Sequence, residues 1–131
     1  MDRRQIKANV NSFINRSFRD TADKDYILAR IAYKHGLDVQ FFWSSLQAIE
    51  KYLKAILLYN DRSAKHGHEL LKLFDAVTEI RDIPFDFPED IKKYIGRIDV
   101  MGQNRYFEYS YQIHHDDCVM LDKTVWFLRK W

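Results

Sequence analysis

Residues 38–59, DVQFFWSSLQAIEKYLKAILLY, decide the fold. Val39, Phe42, Leu46, Ile49, Leu53, Ile56 and Leu57 recur at steps of three and four, the spacing of one helical face. Asp38 is the expected N-cap, since a carboxylate there accepts from free backbone N–H groups. Trp43, Ala48, Tyr52, Ala55 and Tyr59 widen the apolar stripe beyond what a surface helix needs. A helix of this kind is either central to a bundle or also part of a subunit interface. Glu50 and Lys54 form an i,i+4 pair in the favourable orientation, expected on the remaining face.

Working outward, RRQIKANVNSFINRSF (residues 3–18) places Ile6, Val10, Phe13 and Ile14 at helical spacing. Arg3, Arg4, Lys7 and Arg16 surround them, a basic face that is either simply solvated or a contact for nucleic acid. The next helix is expected to start with a cap at Asp20 or Thr21 and to stop at Gly36, with His35 favoured by the dipole in its last turn. After the polar loop NDRSAKHGH (60–68), a fourth helix from about His68 turns Leu70, Leu73, Phe74, Val77 and Ile80 inward. DIPFDFPED (82–90) breaks the chain, and Pro88 suits the first turn of a fifth helix. That helix carries Ile91, Tyr94, Ile95, Ile98 and Met101 inward and ends at Gly102. A last helix begins at Asp116 or Asp117, with Cys118, Leu121, Val125 and Leu128 as its stripe and Arg129 and Lys130 closing it. The expectation is an all-α, up-and-down bundle of five to six helices. It forms a single domain over residues 1–131, in which 1–19 make an additional N-terminal amphipathic helix.

Composition agrees with this. Hydrophobic residues at 47% and aromatics at 15% exclude a disordered chain. Only four glycines and two prolines interrupt 131 residues, which favours long helices over a many-stranded sheet. A net charge of +2 neither demands nor forbids a nucleic-acid partner. The single cysteine excludes an internal disulfide and fits a reducing cytosol. No apolar run approaches the roughly 20 residues that cross a bilayer. MDRRQIKANVNSF lacks the apolar core of a signal peptide, so a soluble cytoplasmic domain without a membrane span is expected.

Phosphate-cradling glycine loops, H-E-x-x-H, C-x-x-C and G-x-S-x-G are all absent from the sequence. Cys118 lies in a helix stripe, where a cysteine is ordinarily a small core residue. The chemistry-bearing stretch is NRYFEYSYQIHHDD, residues 104–117. Adjacent histidines and aspartates rarely converge on one ion, so capping by Asp116 or Asp117 is preferred to a metal site, and neither metal nor cofactor is expected. RNA cleavage needs less: His114 or His115 to move the 2′-hydroxyl proton, and Arg105 to stabilise charge on the phosphorane. Tyr106, Tyr109 and Tyr111 could stack on unpaired bases. The competing reading is an extended, half-buried connector in which Arg105 pairs with Asp99 or Glu108.

From about Ala22 onward the chain resembles the HEPN superfamily, the higher eukaryotes and prokaryotes nucleotide-binding domains. SSLQAIEKYLKAILLY (44–59) matches that family's A-x-E-K-x-L-K-A core helix at Ala48, Glu50, Lys51, Leu53, Lys54 and Ala55. HGHELLKLF (66–74) is similar to its H-x-L-x-x-L, with His68 and Leu70 in register. Arg105–Tyr106 resembles the arginine–tyrosine pair that precedes its last helix. The resemblance implies an up-and-down bundle, commonly dimeric. It also implies a metal-independent ribonuclease with an R-x4-6-H motif, a toxin beside a minimal nucleotidyltransferase antitoxin, or a nucleotide binder without catalysis. The spacing departs from the motif here: eight residues separate Arg105 from His114, and Ser110 and Tyr111 stand where the motif histidine would fall. The literal match, Arg62 to His68 with five residues between, lies one helix early. The expectation is a homodimer that binds nucleotide or RNA through Tyr106, Tyr109, Tyr111, Arg62 and His68. If it is a ribonuclease, Arg105, His114 and His115 are catalytic. The rival is a non-catalytic module that pairs with a nucleotidyltransferase.

Overall fold

A central helix, α3 (Asp38–Tyr59), organises the computed structural model, which describes residues 2–65, 69–80, 87–103 and 113–130. Before it come α1 (Arg3–Ile14), a π-helical turn (Asn15–Arg19) and α2 (Asp20–Lys34); after it come α4 (Leu70–Thr78), α5 (Glu89–Gln103) and α6 (Asp117–Arg129). The described residues contain no β-strand. The chain is all-α, as its periodicity predicts.

Helix α3 touches each of the other helices, which is why its stripe is so broad. Phe41, Phe42, Leu46, Ile49, Leu53, Ile56 and Leu57 are all buried on it. Each fully buried side chain of this size contributes about 1.5–3 kcal/mol by leaving water. The same enclosure corrects the expected place of Glu50. It is 5% exposed, not on a solvated face, and its carboxylate lies 3.7 Å from Lys54 Nζ. Asp38 does not cap the helix: Leu37 holds that position, and no side chain bonds there.

Helix α2 packs on α3 through Ala22, Ala29 and Ala32, whose short side chains let the backbones approach. It stops in a Schellman motif: Gly36 N–H donates to Tyr33 O (3.2 Å) and Leu37 N–H to Ala32 O (2.9 Å). Gly36 has φ +67°, a conformation that glycine adopts without the Cβ penalty. Helix α3 ends in the same way at Asp61 (φ 57°), with Arg62 N–H donating to Leu57 O at 2.8 Å.

The N-terminal segment corrects two expectations. No cap interrupts the chain at Asp20 or Thr21; α1 runs through the π turn into α2. Asp20 N–H reaches back to Asn15 O, and the Thr21 hydroxyl donates to Arg16 O at 3.3 Å, so the wide turn absorbs the groups a cap would have served. Of the four residues expected inward on α1, only Ile14 is buried; Ile6, Val10 and Phe13 are about half exposed. The first helical stretch reaches past the described core, and Lys7, paired with Asp61, faces α3 in their place.

Four rods alternate in direction. Lys51–Asp25 and Tyr59–Asn15 set α1–α2 antiparallel to α3. Gly102 against Leu46 sets α5 antiparallel to α3, and Lys123–Asp90 with Arg97–Asp117 sets α6 antiparallel to α5. The short α4 runs parallel to α3, because Leu70 meets Asp99 near the end of α5 while Ala76 and Glu79 lie beside Leu57 and Arg62. The α3–α4 connection therefore carries the chain back along the bundle. Among the described residues no helix is long and apolar enough to cross a membrane.

Candidate functional site

At one end of the bundle the start of α4 meets the end of α5. Asp99 accepts from Leu70 N–H at 3.2 Å, so a neighbouring helix supplies the cap that α4 lacks from its own Glu69. Beside this contact Glu69, Asp99, Val100 and Gln103 line an open groove of about 590 Å³. Glu69 directly follows His68, and Gln103 stands two residues before Arg105. Two stretches well apart in sequence thus come to one groove.

Where α6 begins, Arg97 and Asp117 form a two-pronged ion pair, Nε to Oδ1 and Nη2 to Oδ2, each at 3.0 Å. Asp117 is 2% exposed and Arg97 about a quarter exposed. The guanidinium also lies 5.3 Å from the centre of the Phe42 ring. Its hydrogen bonds to Asp117 outweigh partial burial and push its pKa up, so it stays charged. Asp117 Oδ2 accepts from His114 N–H at 2.7 Å as well, and Asp117 O accepts from the Tyr94 hydroxyl at 2.9 Å. Burial, and then the nearby Asp117 charge, raise the Tyr94 pKa. The Tyr33 hydroxyl donates to His115 O at 3.1 Å. The backbone that carries the two histidines is thus fixed from three sides, while both remain exposed.

These contacts correct the expected capping. Asp116 occupies the cap position of α6 without a side-chain bond, and Asp117 turns inward to Arg97. A partly buried guanidinium within reach is a stronger attraction than a solvated helix end. Sequence reasoning missed Arg97. The signal was a lone arginine between Ile95 and Ile98 on an otherwise apolar face.

Of the other residues singled out in the sequence, Arg105, Tyr106, Tyr109, Tyr111 and His68 lie outside the described residues. Arg62 is exposed at the opposite end of the bundle, near Ala76 and Glu79, so the structure does not bring it to His114 and His115. The two ends are roughly 20 Å apart, the rise of α3 between Phe42 and Leu57. Cys118 is partly buried, and burial, followed by the charge of Asp122, pushes its thiol up, which disfavours the nucleophilic thiolate. Among the described residues no group of three or more histidine, cysteine or carboxylate side chains could hold a metal ion.

The fold and this end of it define a helical bundle in which the histidine-bearing stretch before α6 is anchored to the long helices. The HEPN domain model matches residues 16–125, well over half of the chain, and the chain belongs to that family of nucleotide-related helical domains. No curated protein and no solved structure was found to match it.

Proposed function

We propose that the chain binds nucleotide or RNA as a homodimer, at the bundle end where α5 leads toward Arg105 and α6 begins. The observation that carries this is the shared groove: the neighbours of His68 and of Arg105, Glu69 and Gln103, line it together. Family membership supports the ligand class. In this reading Tyr106, Tyr109 and Tyr111 stack on bases, and Arg105 meets phosphate. As a ribonuclease, His114 or His115 takes the 2′-hydroxyl proton, the 2′-oxygen attacks phosphorus, and the 5′-oxygen leaves with a proton. Arg105 stabilises the charge that builds on the phosphorane. The homodimer draws support from half-exposed Ile27 and Ile31 on α2 and from exposed Val119 and Trp126 on α6.

The second reading is a non-catalytic module that pairs with a minimal nucleotidyltransferase, as toxin–antitoxin partners do. The eight residues between Arg105 and His114 favour it, because the ribonuclease motif allows at most six. Purified protein incubated with total RNA, beside an Arg105→Ala variant, separates the two. Cleavage by the parent and not by the variant is expected of the enzyme. Equal cleavage by both, or none by either, removes it and leaves binding to be measured with RNA and with the nucleotidyltransferase.

A further inference from the structure

Helix α1 precedes the residues that the family model matches, which begin at residue 16. Ile14 is its one buried side chain, and Lys7 Nζ reaches Asp61 Oδ1 at 3.1 Å and Tyr59 O at 3.4 Å. These contacts hold one side of the helix to the bundle and leave another uncovered. Ile6, Val10 and Phe13 follow one another at steps of four and three, so they form one stripe along it. They are 49%, 42% and 54% exposed, which makes the stripe an apolar face in contact with water.

Cations frame the stripe. Arg3 stands three residues before Ile6 and Arg16 three after Phe13, and residues three apart are neighbours on a helix. Arg4 adds a further cation in the first turn. All three arginines are exposed and have no carboxylate partner among the described residues. Arg16 Nε donates to Ser12 O at 3.3 Å, a bond that leaves its charge uncompensated. Asp2 is the one acid from residue 2 to residue 19, and it is engaged as the cap, accepting from Gln5 N–H at 2.8 Å. Nucleic acid would take the arginines and leave the stripe in water. A stable protein partner needs roughly 800 Å² per side, whereas three half-exposed side chains offer on the order of 250 Å². An anionic bilayer surface takes both features: apolar chains enter the boundary below the headgroups, and arginine heads stay among them.

We propose that α1 docks the protein on an anionic lipid surface. Ile6, Val10 and Phe13 enter the headgroup boundary, and Arg3, Arg4 and Arg16 lie against acidic headgroups. At 12 residues the helix is about 18 Å long, too short for a hydrocarbon core of about 30 Å, so it lies on the bilayer and does not cross it. Both signals are needed. Three half-exposed side chains bury less apolar surface than one myristoyl chain, which by itself anchors only marginally. The surface is independent of Arg105, so either reading can fail while the other stands.

The test is co-sedimentation of the full chain with vesicles of phosphatidylcholine alone and of phosphatidylcholine mixed with phosphatidylserine. The double variants Arg3→Gln/Arg4→Gln and Ile6→Ser/Phe13→Ser are run alongside, and circular dichroism verifies that each keeps its helices. All four side chains are exposed, so their replacement leaves the core intact. The parent is expected to bind the mixed vesicles at least about ten-fold more tightly than the neutral ones at about 0.1 M salt. That preference is expected to vanish at about 1 M salt, where the Debye length falls to about 3 Å. The arginine variant is expected to bind the mixed vesicles about 25-fold more weakly, about five-fold for each cation at an anionic surface. The apolar variant is expected to lose at least about ten-fold. Equal binding to both vesicles, or unchanged binding by either variant, overturns the proposal. An unaffected Ile6→Ser/Phe13→Ser variant in particular leaves a cation cluster that nucleic acid would satisfy as well. No sedimentation with either vesicle also overturns it and leaves the stripe to a protein partner.

Discussion

The two ends of the bundle use charge in opposite ways. At the connector end, Arg97 and Asp117 are locked together and Asp99 caps a neighbouring helix. At the other end, a pocket of about 300 Å³ between the π turn, α3 and the end of α6 is lined by Arg19, Arg129 and Lys130, and among the described residues no carboxylate lines it. A charge that holds backbone in place cannot also bind a ligand without loosening the fold. Arg97 therefore serves the fold here, holding Asp117, which in turn holds the His114 backbone. At the far end Arg129 is held by Asp23 and Lys130 rests over the Trp126 ring, while Arg19 has no ion-pair partner among the described residues.

The sharpest way to break this contrast is Asp117→Ala. It removes the carboxylate that Arg97 grips and leaves the His114 N–H without its acceptor. Removing one member of a buried pair costs about 3–5 kcal/mol, and the partial exposure of Arg97 lowers the expected loss to about 2–3 kcal/mol. Urea unfolding measures it. Replacing both residues by leucine is expected to recover part of the loss, because no orphaned charge then remains. Arg19→Ala at the other end should change stability by less than about 0.5 kcal/mol. A comparable loss in both single variants would erase the distinction between the ends.

Next in size is Gly102→Ala. A Cβ there would sit 2.6 Å from Leu46 Cβ and 3.0 Å from Phe42 O, both on the central helix. Neither neighbour is the free end of a flexible chain, so α5 must move away from α3. The expected cost is about 2 kcal/mol, within the range of overpacked cores, and thermal unfolding reads it. A parallel shift in the chemical shifts of residues near Arg97 would show that helix spacing at this end also sets the ion pair.

Gly102 also shows what the sequence could and could not tell. It reads as a helix stop because glycine often follows the last turn, yet here it is buried inside α5 for close approach to Leu46. The long apolar stripes of α3, α5 and α6 were legible, since periodicity reports burial directly. The α1 stripe has the same period, but Ile6, Val10 and Phe13 are not covered by the described residues. Periodicity shows that a face is apolar, not what covers it. The π turn was unreadable, as Asp20 and Thr21 carry good capping side chains and only tertiary packing overrides them. Arg97–Asp117 and the pocket pairing of α1 with α6 join residues far apart in the chain, and no local pattern announces such contacts. The candidate groove was not legible, because Glu69, Asp99, Val100 and Gln103 meet only through the packing of α4 beside the end of α5.

Alkaline pH compares the two ends more gently. Tyr94 is buried at the connector end, and burial pushes its pKa up, with the Asp117 charge adding to the rise. At the pocket end burial and the bond to Asp23 raise that of Tyr52. A raised value means the folded state holds its proton more tightly than the unfolded chain, whose tyrosines titrate near pH 10. Their contribution to stability is thus complete below about pH 10 and is lost as pH climbs beyond it. Each such tyrosine steepens the fall by at most about 1.4 kcal/mol per pH unit. Tyr94→Phe and Tyr52→Phe are each expected to flatten the alkaline limb of a stability–pH curve by a similar amount, because at both sites burial raises the value and a neighbouring arginine opposes the rise. Urea midpoints between pH 8 and about 11.5 decide it. If Tyr52→Phe flattens the curve more, the pocket end is the more tightly sealed of the two.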